Sequence, residues 1–292
     1  MVGSVFRCAE GMRSMRSALR FALGVAGVLA SACAPARSQP ADVSAARVAD
    51  NGFVVHDVRS PMQSGPTKIF VRTPKALKDG ERVPVLYLLP VEAGDEKRWG
   101  DPRAEARKLA LADRLGVIVV YPTFNALPWY ADHASDPQIR QEQYVRDVVV
   151  PTVRSRYPVR NGPEAQLLLG FSKSGWGAYT MLLRHPVIFG RAAAWDAPMM
   201  MTMPRYGMDR IVGTQANFEH YRVGALLRDR GKLLGADQRL YLGGSRFYPA
   251  DTANARRLML ALDIPHAHRE GPSREHHWSS GWLEEAARWL VR

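Results

Sequence analysis

Short apolar runs and longer amphipathic segments alternate along most of this chain. Apolar runs rich in β-branched residues and bounded by Gly or Pro predict strands at residues 53–59, 67–73, 84–89, 116–121, 165–170, 191–195 and 239–243. Segments with helical apolar spacing predict helices at residues 102–114, 138–156, 174–185, 216–230, 251–262 and 281–290. Because the central runs are apolar throughout, we expect helices to cover both faces of their sheet. The pattern therefore predicts an α/β fold, a three-layer sandwich with a mostly parallel central sheet.

The N-terminal region has a different pattern. A basic stretch that ends at Arg20 is followed by an uncharged stretch and a small-residue Ala-Ser-Ala site, which is typical of an export signal. The residues up to Cys33 also resemble a bacterial lipoprotein box, although Ala stands where such boxes more often have Leu. Simple cleavage and a lipid anchor to the membrane through Cys33 both stay open. We predict a signal peptide over residues 1–32, a flexible tether over 33–49 and a folded domain over 50–292.

Composition and charge narrow the class of protein. The chain has 292 residues, of which 46% are hydrophobic and 23% charged, so it can bury a sizeable core. Its formal charge is +12, and +9 remains without residues 1–32. The basic residues are scattered and form no long run, so we expect no nucleic-acid partner. Both cysteines, Cys8 and Cys33, lie near the N-terminus, which excludes a disulfide framework.

The most informative segment joins a predicted strand to a predicted helix by a sharp turn. Ser172 stands there with Gly170 two residues before it and Ser174 two residues after it. This spacing is typical of a nucleophile elbow, in which a strained turn exposes the serine hydroxyl above the sheet. We predict Ser172 as the nucleophile and the backbone N–H of Lys173 as an oxyanion donor. The alternative is a plain turn with Ser172 as a helix cap; Ser174 is expected to serve packing or capping.

A serine hydroxyl needs a base, and histidine is the usual base at neutral pH. His276 and His277 lie in a loop ahead of the last predicted helix, and we prefer His276 as the base with His277 as the alternative. His266 and His268 alternate on the last predicted strand and are expected to be structural. Clustered histidines could indicate zinc, but neither a nearby cysteine nor regular ligand spacing accompanies them. We therefore expect neither a metal nor another cofactor.

The acid that would orient the base has more than one candidate. The loop over residues 243–247 contains Arg246 and no carboxylate. Asp196 stands at the end of a predicted strand, in an apolar setting where a carboxylate is costly without a partner such as a histidine N–H. We favour Asp196. The alternatives are Asp251, whose position also suits a helix N-cap, and the lack of a working acid.

From about residue 50 to its end, the chain resembles the Putative esterase family of α/β-hydrolases, which includes esterase D, the mycobacterial mycolyltransferases and enterochelin esterase-like enzymes. The resemblance rests on residues 84–89 as the third strand, on residues 170–178 as the elbow, and on the terminal His-x-Trp that begins at His276. It implies an α/β-hydrolase fold with Ser172 as the nucleophile and His276 as the base.

Two positions depart from that family pattern. Residues 90–95 replace the His-Gly-Gly-type oxyanion loop, so we expect the second oxyanion donor to be the N–H of Val91 or Glu92. Arg246 stands where the family usually offers its acid, which is a second reason to assign that role to Asp196.

Aromatic residues near predicted loops and strand ends suggest a substrate pocket. We expect Trp99, Trp176 and Trp278 to bind substrate, because their rings can stack on sugars or acyl groups; the alternative for most of the tryptophans is packing in the core. The methionine-rich segment 199–213 is a candidate lid over an acyl chain, with a core loop as the alternative.

Together these features predict an exported serine hydrolase, periplasmic, secreted or lipid-anchored, that cleaves or transfers the acyl group of a carboxylic ester. Its substrate would be a small-molecule or glycan ester, and a peptidase is a weaker alternative. The alternative from another class is a catalytically silent domain that binds a cell-envelope glycan or a protein partner. A carboxylate within hydrogen-bonding reach of the His276 ring would favour the enzyme. The sequence leaves the oligomeric state open.

Overall fold

A ten-stranded sheet forms the centre of the computed structural model, which describes residues 40–49 and 52–292. Its strands are β1 (Asp42–Val43), β2 (Arg47–Val48), β3 (Val54–Arg59), β4 (Thr67–Arg72), β5 (Val85–Leu88), β6 (Ile118–Pro122), β7 (Gln166–Phe171), β8 (Arg191–Trp195), β9 (Leu240–Leu242) and β10 (His266–His268). Their order is β1-β3-β4-β6-β5-β7-β8-β9-β10, and β2 also pairs with β3. The strands from β6 to β10 in this order run parallel, whereas β1 to β4 form an antiparallel lead-in.

Side chains along the parallel strands alternate between two apolar cores, one on each face of the sheet. In β5, Val85 and Tyr87 contribute to one core, whereas Leu86 and Leu88 contribute to the other. This alternation follows from the two-residue period of a strand. Burial on both faces explains why these runs are apolar throughout.

Helices cover both faces, as the sequence predicts. They are α1 (Pro102–Lys108), α2 (Leu111–Leu115), α3 (Gln141–Gln143), α4 (Val150–Arg156), α5 (Ser172–Arg184), α6 (Asp209–Val212), α7 (Gln215–Glu219), α8 (Val223–Arg230), α9 (Pro249–Ala261) and α10 (Trp282–Leu290). Helices α4, α5, α8 and α9 pack into the core that holds Val85, and α1, α2 and α10 pack into the core that holds Leu86. Among the described residues no helix is long and apolar enough to cross a membrane.

Three predicted helices are interrupted. The segment 102–114 divides into α1 and α2 because Ala110 adopts the left-handed conformation, with φ of +49°. The segment 138–156 contains a π-helix, Tyr144–Val149, between α3 and α4. The segment 216–230 divides into α7 and α8.

The predicted tether is wrong for residues 42–48, because β1 and β2 in this segment pair with β3. Arg156, from the distant helix α4, donates hydrogen bonds to the carbonyls of Val43, at 2.8 Å, and Ser44. Strand pairing and the Arg156 guanidinium therefore fix the position of this segment, although it has little apolar surface of its own. The predicted signal peptide and Cys33 lie outside the described residues.

Candidate active site

A strained turn joins β7 to α5 and carries Ser172. Ser172 is the first residue of α5 and has a φ of +52°, in the left-handed region that a residue with a side chain seldom adopts. Its backbone N–H donates to the carbonyl of Asp196 at 3.2 Å, which joins the ends of two neighbouring strands. Strain of this kind persists where the surroundings fix it, and it is typical of a nucleophile elbow.

Small residues allow strand and helix to approach at this turn. A Cβ atom on Gly170 would lie 2.4 Å from the backbone carbon of Ser174, and one on Gly177 would lie 2.1 Å from the ring of Tyr130. The Ser174 hydroxyl accepts from the N–H of Phe171 at 3.1 Å and donates to its carbonyl at 2.9 Å. Ser174 therefore closes the turn from inside, in agreement with its predicted capping role.

His276 and Asp196 form a buried hydrogen-bonded pair. The Nδ1–H of His276 donates to Oδ2 of Asp196 at 2.7 Å, and both side chains are almost fully buried. Asp196 directly follows β8 and has a φ of +43°, so its carboxylate is carried by a second strained turn at the carboxyl end of the sheet. A carboxylate at the His276 ring favours an enzyme over a catalytically silent binding domain.

The loop after β9 binds the other oxygen of the Asp196 carboxylate. Oδ1 accepts hydrogen bonds from the Ser245 hydroxyl at 2.6 Å and from the backbone N–H groups of Arg246, Phe247 and Tyr248 at 2.9, 2.8 and 3.2 Å. Residues 243–247 contain no carboxylate of their own, and their loop instead binds the carboxylate of Asp196, which follows the neighbouring strand β8. The sequence gives no sign of this role of Ser245 beyond the Gly-Gly-Ser run at the strand end.

These contacts determine the charge of the pair. Burial of the Asp196 carboxyl disfavours ionisation, but the hydrogen bonds from His276, Ser245 and the loop favour it more strongly and hold the pKa of Asp196 below its ordinary value. The carboxylate therefore stays ionised at neutral pH. An ionised Asp196 keeps the His276 proton on Nδ1 and leaves Nε2 free to accept a proton.

Aromatic rings fix the orientation of the His276 imidazole. Phe247 stacks on it with ring centres 4.6 Å apart, and Trp99 and Phe171 contact it edge-on at 4.7 and 4.9 Å. A ring held on three sides loses little freedom when it acts as a base, since its orientation is already set.

Ser172 and His276 line the same cavity, which has a volume of about 440 Å³. Its other lining residues are Glu92, Arg98, Trp99, Leu127, Lys173, Tyr206, Phe247 and Tyr248. The cavity combines aromatic surface with a few polar groups beside Ser172, which is the usual composition of a small-molecule site.

Two of the three tryptophans predicted to bind substrate lie in the core, so that prediction is wrong for them. Trp176 is fully buried and contacts Trp129 edge-on, with ring centres 5.6 Å apart. Trp278 is 2% exposed and packs edge-on against Phe171 at 4.8 Å. Their indoles are large enough to fill interior space, and only Trp99 of the three lies on the cavity.

The segment 199–213 divides between core and cavity. Met199, Met201 and Met208 are buried, whereas Tyr206 is about half exposed and lines the cavity.

The structure separates the alternative acid and base from the pair. Asp251 lies in the first turn of α9 and accepts from the N–H of Met200 at 2.7 Å. The Nδ1 of His277 pairs with the Ser279 hydroxyl at 2.8 Å, and no hydrogen bond within the described residues joins His277 to a carboxylate. The geometry therefore favours His276 and Asp196 over these alternatives.

The two histidines of β10 contact backbone carbonyls. Nδ1 of His266 pairs with the carbonyl of Ile264 at 2.8 Å, and Nδ1 of His268 pairs with that of Leu242 at 3.0 Å. Within the residues that the structure describes, no group of three or more His, Cys, Asp or Glu side chains could hold a metal ion.

The expected oxyanion donors come from two segments. Lys173 lies in the first turn of α5, where helix geometry leaves backbone N–H groups without an intrahelical acceptor. Val91 and Glu92 are buried in the loop that follows β5, next to β7 in the sheet. Glu92 lines the cavity with Ser172, so the loop borders the site.

A mostly parallel sheet, with a strained strand-to-helix turn and a His–Asp pair at the carboxyl ends of its strands, is the architecture of an α/β-hydrolase. The fold is similar to that of FphF, a fluorophosphonate-binding serine hydrolase of Staphylococcus aureus, with a TM-score of 0.66 and 16% identity over 82% of this chain and 98% of that one. It is also similar to a ferulic acid esterase, with a TM-score of 0.65 and 20% identity over 82% and 98% of the two chains. An S-formylglutathione hydrolase from Agrobacterium tumefaciens gives 0.62 and 17% identity over 86% and 98%.

The sequence model of the Putative esterase family matches residues 60–230, which is more than half of the chain. The chain therefore belongs to this family and is a carboxylic ester hydrolase. A comparison with curated protein sequences finds no match.

Proposed function

We propose that this protein is an exported serine esterase that works through an acyl-enzyme at Ser172. The observation that carries the proposal is the 2.7 Å hydrogen bond between His276 and Asp196, beside a cavity that also contains Ser172. A buried, ionised acid that orients a histidine is the device by which serine hydrolases activate a hydroxyl.

In this mechanism Nε2 of His276 removes the proton of the Ser172 hydroxyl as its oxygen attacks the ester carbonyl. The imidazolium is stabilised by the Asp196 carboxylate and then returns the proton to the leaving alcohol. The bond between the carbonyl carbon and the alcohol oxygen breaks, and the acyl group stays on Ser172. Water, or a second alcohol, then attacks the acyl-enzyme by the same steps. Hydrolysis and acyl transfer thus use the same residues.

The negative charge on the carbonyl oxygen needs donors that are already in place. The Lys173 N–H supplies one, at the N-terminus of α5, where the helix dipole also favours an anion. The N–H of Val91 or Glu92 supplies the second. Removal of one such donor typically costs about 10²- to 10³-fold in kcat.

The cavity favours esters that present an aromatic or apolar acyl group. Trp99, Phe247 and Tyr248 supply ring surface, and Arg98 adds a cation stacked over the Trp99 ring at 4.8 Å. A suitable first panel contains p-nitrophenyl acetate, p-nitrophenyl octanoate, methyl ferulate and S-formylglutathione. Addition of an alcohol acceptor to the same assays separates transfer from hydrolysis.

Two matched pairs of variants test the assignment of acid and base. We expect Asp196→Asn to lower kcat by about 10³- to 10⁴-fold, because the amide stabilises the wrong histidine tautomer. Asp251→Asn should keep kcat within about threefold, because within the described residues the Asp251 carboxylate hydrogen-bonds only to the backbone N–H of Met200. His276→Gln should abolish turnover, whereas His277→Gln should not. The reverse order of effects in either pair would reassign that role.

Export rests on the pattern of residues 1–32 and has its own test. Mass spectrometry of the protein from fractionated bacterial cells expressing the full chain should find a mature N-terminus near Cys33. A diacylglycerol modification that is lost in Cys33→Ser would assign lipid anchoring. An unprocessed cytoplasmic protein would contradict export.

A further inference from the structure

A buried ion pair joins the two segments that border the nucleophile. Nζ of Lys173 lies 3.0 Å from Oε1 of Glu92, and the two side chains are only 14% and 9% exposed. The indole N–H of Trp99 donates to the same oxygen at 3.0 Å. A carboxylate this deeply buried is costly without partners, and here both partners come from residues that line the catalytic cavity.

The ion pair connects the two segments that are expected to supply the oxyanion donors. Lys173 directly follows Ser172, and its own N–H is one expected oxyanion donor. Glu92 lies in the loop after β5, which supplies the other. Because the two donors belong to different segments, their spacing depends on the contacts that join those segments.

A second contact holds the same loop from its other end. The Tyr130 hydroxyl donates to the carbonyl of Pro90 at 2.7 Å, and the Tyr130 ring packs where Gly177 of α5 leaves room for it. A trans peptide points its carbonyl and the following N–H in opposite directions, so this bond also sets the direction of the Val91 N–H. Within the described residues, no backbone acceptor binds that N–H.

We infer that Glu92 and Lys173 form a charge clamp that positions the oxyanion loop against the nucleophile elbow. The inference rests on the proposed serine esterase mechanism. Glu92 is a positioning residue in this account: its carboxylate acts through Lys173 and the loop, and it does not touch the reacting atoms. In this chain residues 90–95 replace the His-Gly-Gly-type oxyanion loop. The clamp positions the donor of this loop by a side-chain contact in place of glycine-rich backbone packing.

Inactivation by a fluorophosphonate measures the clamp without knowledge of the natural substrate, because the phosphonyl oxygen occupies the oxyanion site. We expect E92Q and K173M each to lower the maximal inactivation rate, kinact, by about 10- to 100-fold while KI changes by less than about threefold. K173R keeps a cation opposite Glu92, so it should lose less of kinact than K173M does. E284Q, which removes the ion pairs of α10 with Arg114 and Arg288, is the control outside the site and should not change kinact.

The double variant E92Q/K173M separates a clamp from two independent roles. If the two charges act only through each other, the double variant is no slower than the slower single variant within about threefold. Three results would each overturn the clamp: losses of kinact that multiply in the double variant, an unchanged kinact in the single variants, or a rise in KI at constant kinact. The last result would make Lys173 a substrate-binding cation. Thermal unfolding identifies a variant that has not folded, and in that case the single variant that does fold decides.

The same assay distinguishes failure of the clamp from failure of the mechanism. A wild-type protein that the fluorophosphonate does not label overturns the proposed function, and the clamp with it. A wild type labelled at Ser172 together with variants labelled at the wild-type rate overturns the clamp alone.

Discussion

Replacement of Glu142 by Gln should destabilise the far end of α5, the helix that begins at Ser172. The Glu142 carboxylate accepts hydrogen bonds from Nε and Nη2 of Arg184 at 2.5 and 3.0 Å, from Nε2 of His185 at 2.6 Å and from the Tyr221 hydroxyl at 3.0 Å. Arg184 ends α5, and Ser172 begins it. This network therefore anchors α5 at the end opposite to the catalytic site.

The size of the effect follows from the pKa of Glu142. Burial raises that pKa, but the hydrogen bonds from His185 and Arg184 lower it more, from an ordinary value of 4.5 to about 2. Because the folded-state pKa is depressed, the stabilisation is fully present above pH 4.5 and is lost as the pH falls towards 2. Each unit of pKa difference is worth about 1.36 kcal/mol, so the drop from 4.5 to about 2 corresponds to about 3 kcal/mol of folding stability at neutral pH.

Urea unfolding at pH 7 and pH 3 tests this prediction. At pH 7 we expect Glu142→Gln to lower the free energy of unfolding by about 3 kcal/mol, and at pH 3 by about 1 kcal/mol. Glu219→Gln removes a half-exposed partner of Arg222 and should cost less than about 1 kcal/mol at either pH. A Glu142→Gln protein within 1 kcal/mol of the wild type at pH 7, or a loss that does not change with pH, would refute the reasoning.

Three further substitutions test the packing and the cavity. Gly177→Ala should destabilise the fold by about 1 to 3 kcal/mol in thermal unfolding, because its Cβ would lie 2.1 Å from the Tyr130 ring; an unchanged Tm would contradict this contact. Trp278→Ala should cost about 3 to 5 kcal/mol, since it empties space in the buried aromatic cluster, and a change confined to KM would return Trp278 to the substrate site. Tyr206→Ala should raise KM for p-nitrophenyl octanoate several-fold without a loss of Tm, because Tyr206 is 54% exposed at the cavity; equal KM values would exclude it from acyl binding.

The sheet and the elbow are the parts that the sequence predicts best, for a physical reason. Strands buried on both faces must be apolar throughout, and the sharp turn at Ser172 requires small neighbours such as Gly170. Both requirements act over a few consecutive residues, so they can be recognised in the sequence without knowledge of the fold. Strand β1 has no such local signal. Its position depends on Arg156, which lies more than a hundred residues away and donates a hydrogen bond to the Val43 carbonyl.

The details of the site depend on contacts that the sequence does not display. Asp196 is bound by backbone N–H groups of residues 246–248, and a backbone donor is the same whatever side chain it carries. Trp99 and Trp176 both lie near the elbow in the fold, yet only the structure shows which indole faces the cavity. His276 and His277 are adjacent in sequence, and their different partners distinguish them only in three dimensions.

The most direct test of the account is fluorophosphonate labelling of the mature protein, followed by peptide mass spectrometry. Ser172→Ala and Ser174→Ala are the matched variants, because both serines lie on the same turn. We expect modification of Ser172 alone, lost in Ser172→Ala and retained in Ser174→Ala. A folded wild type that remains unmodified, or a label that survives in Ser172→Ala, would contradict the assignment of Ser172 as the activated nucleophile.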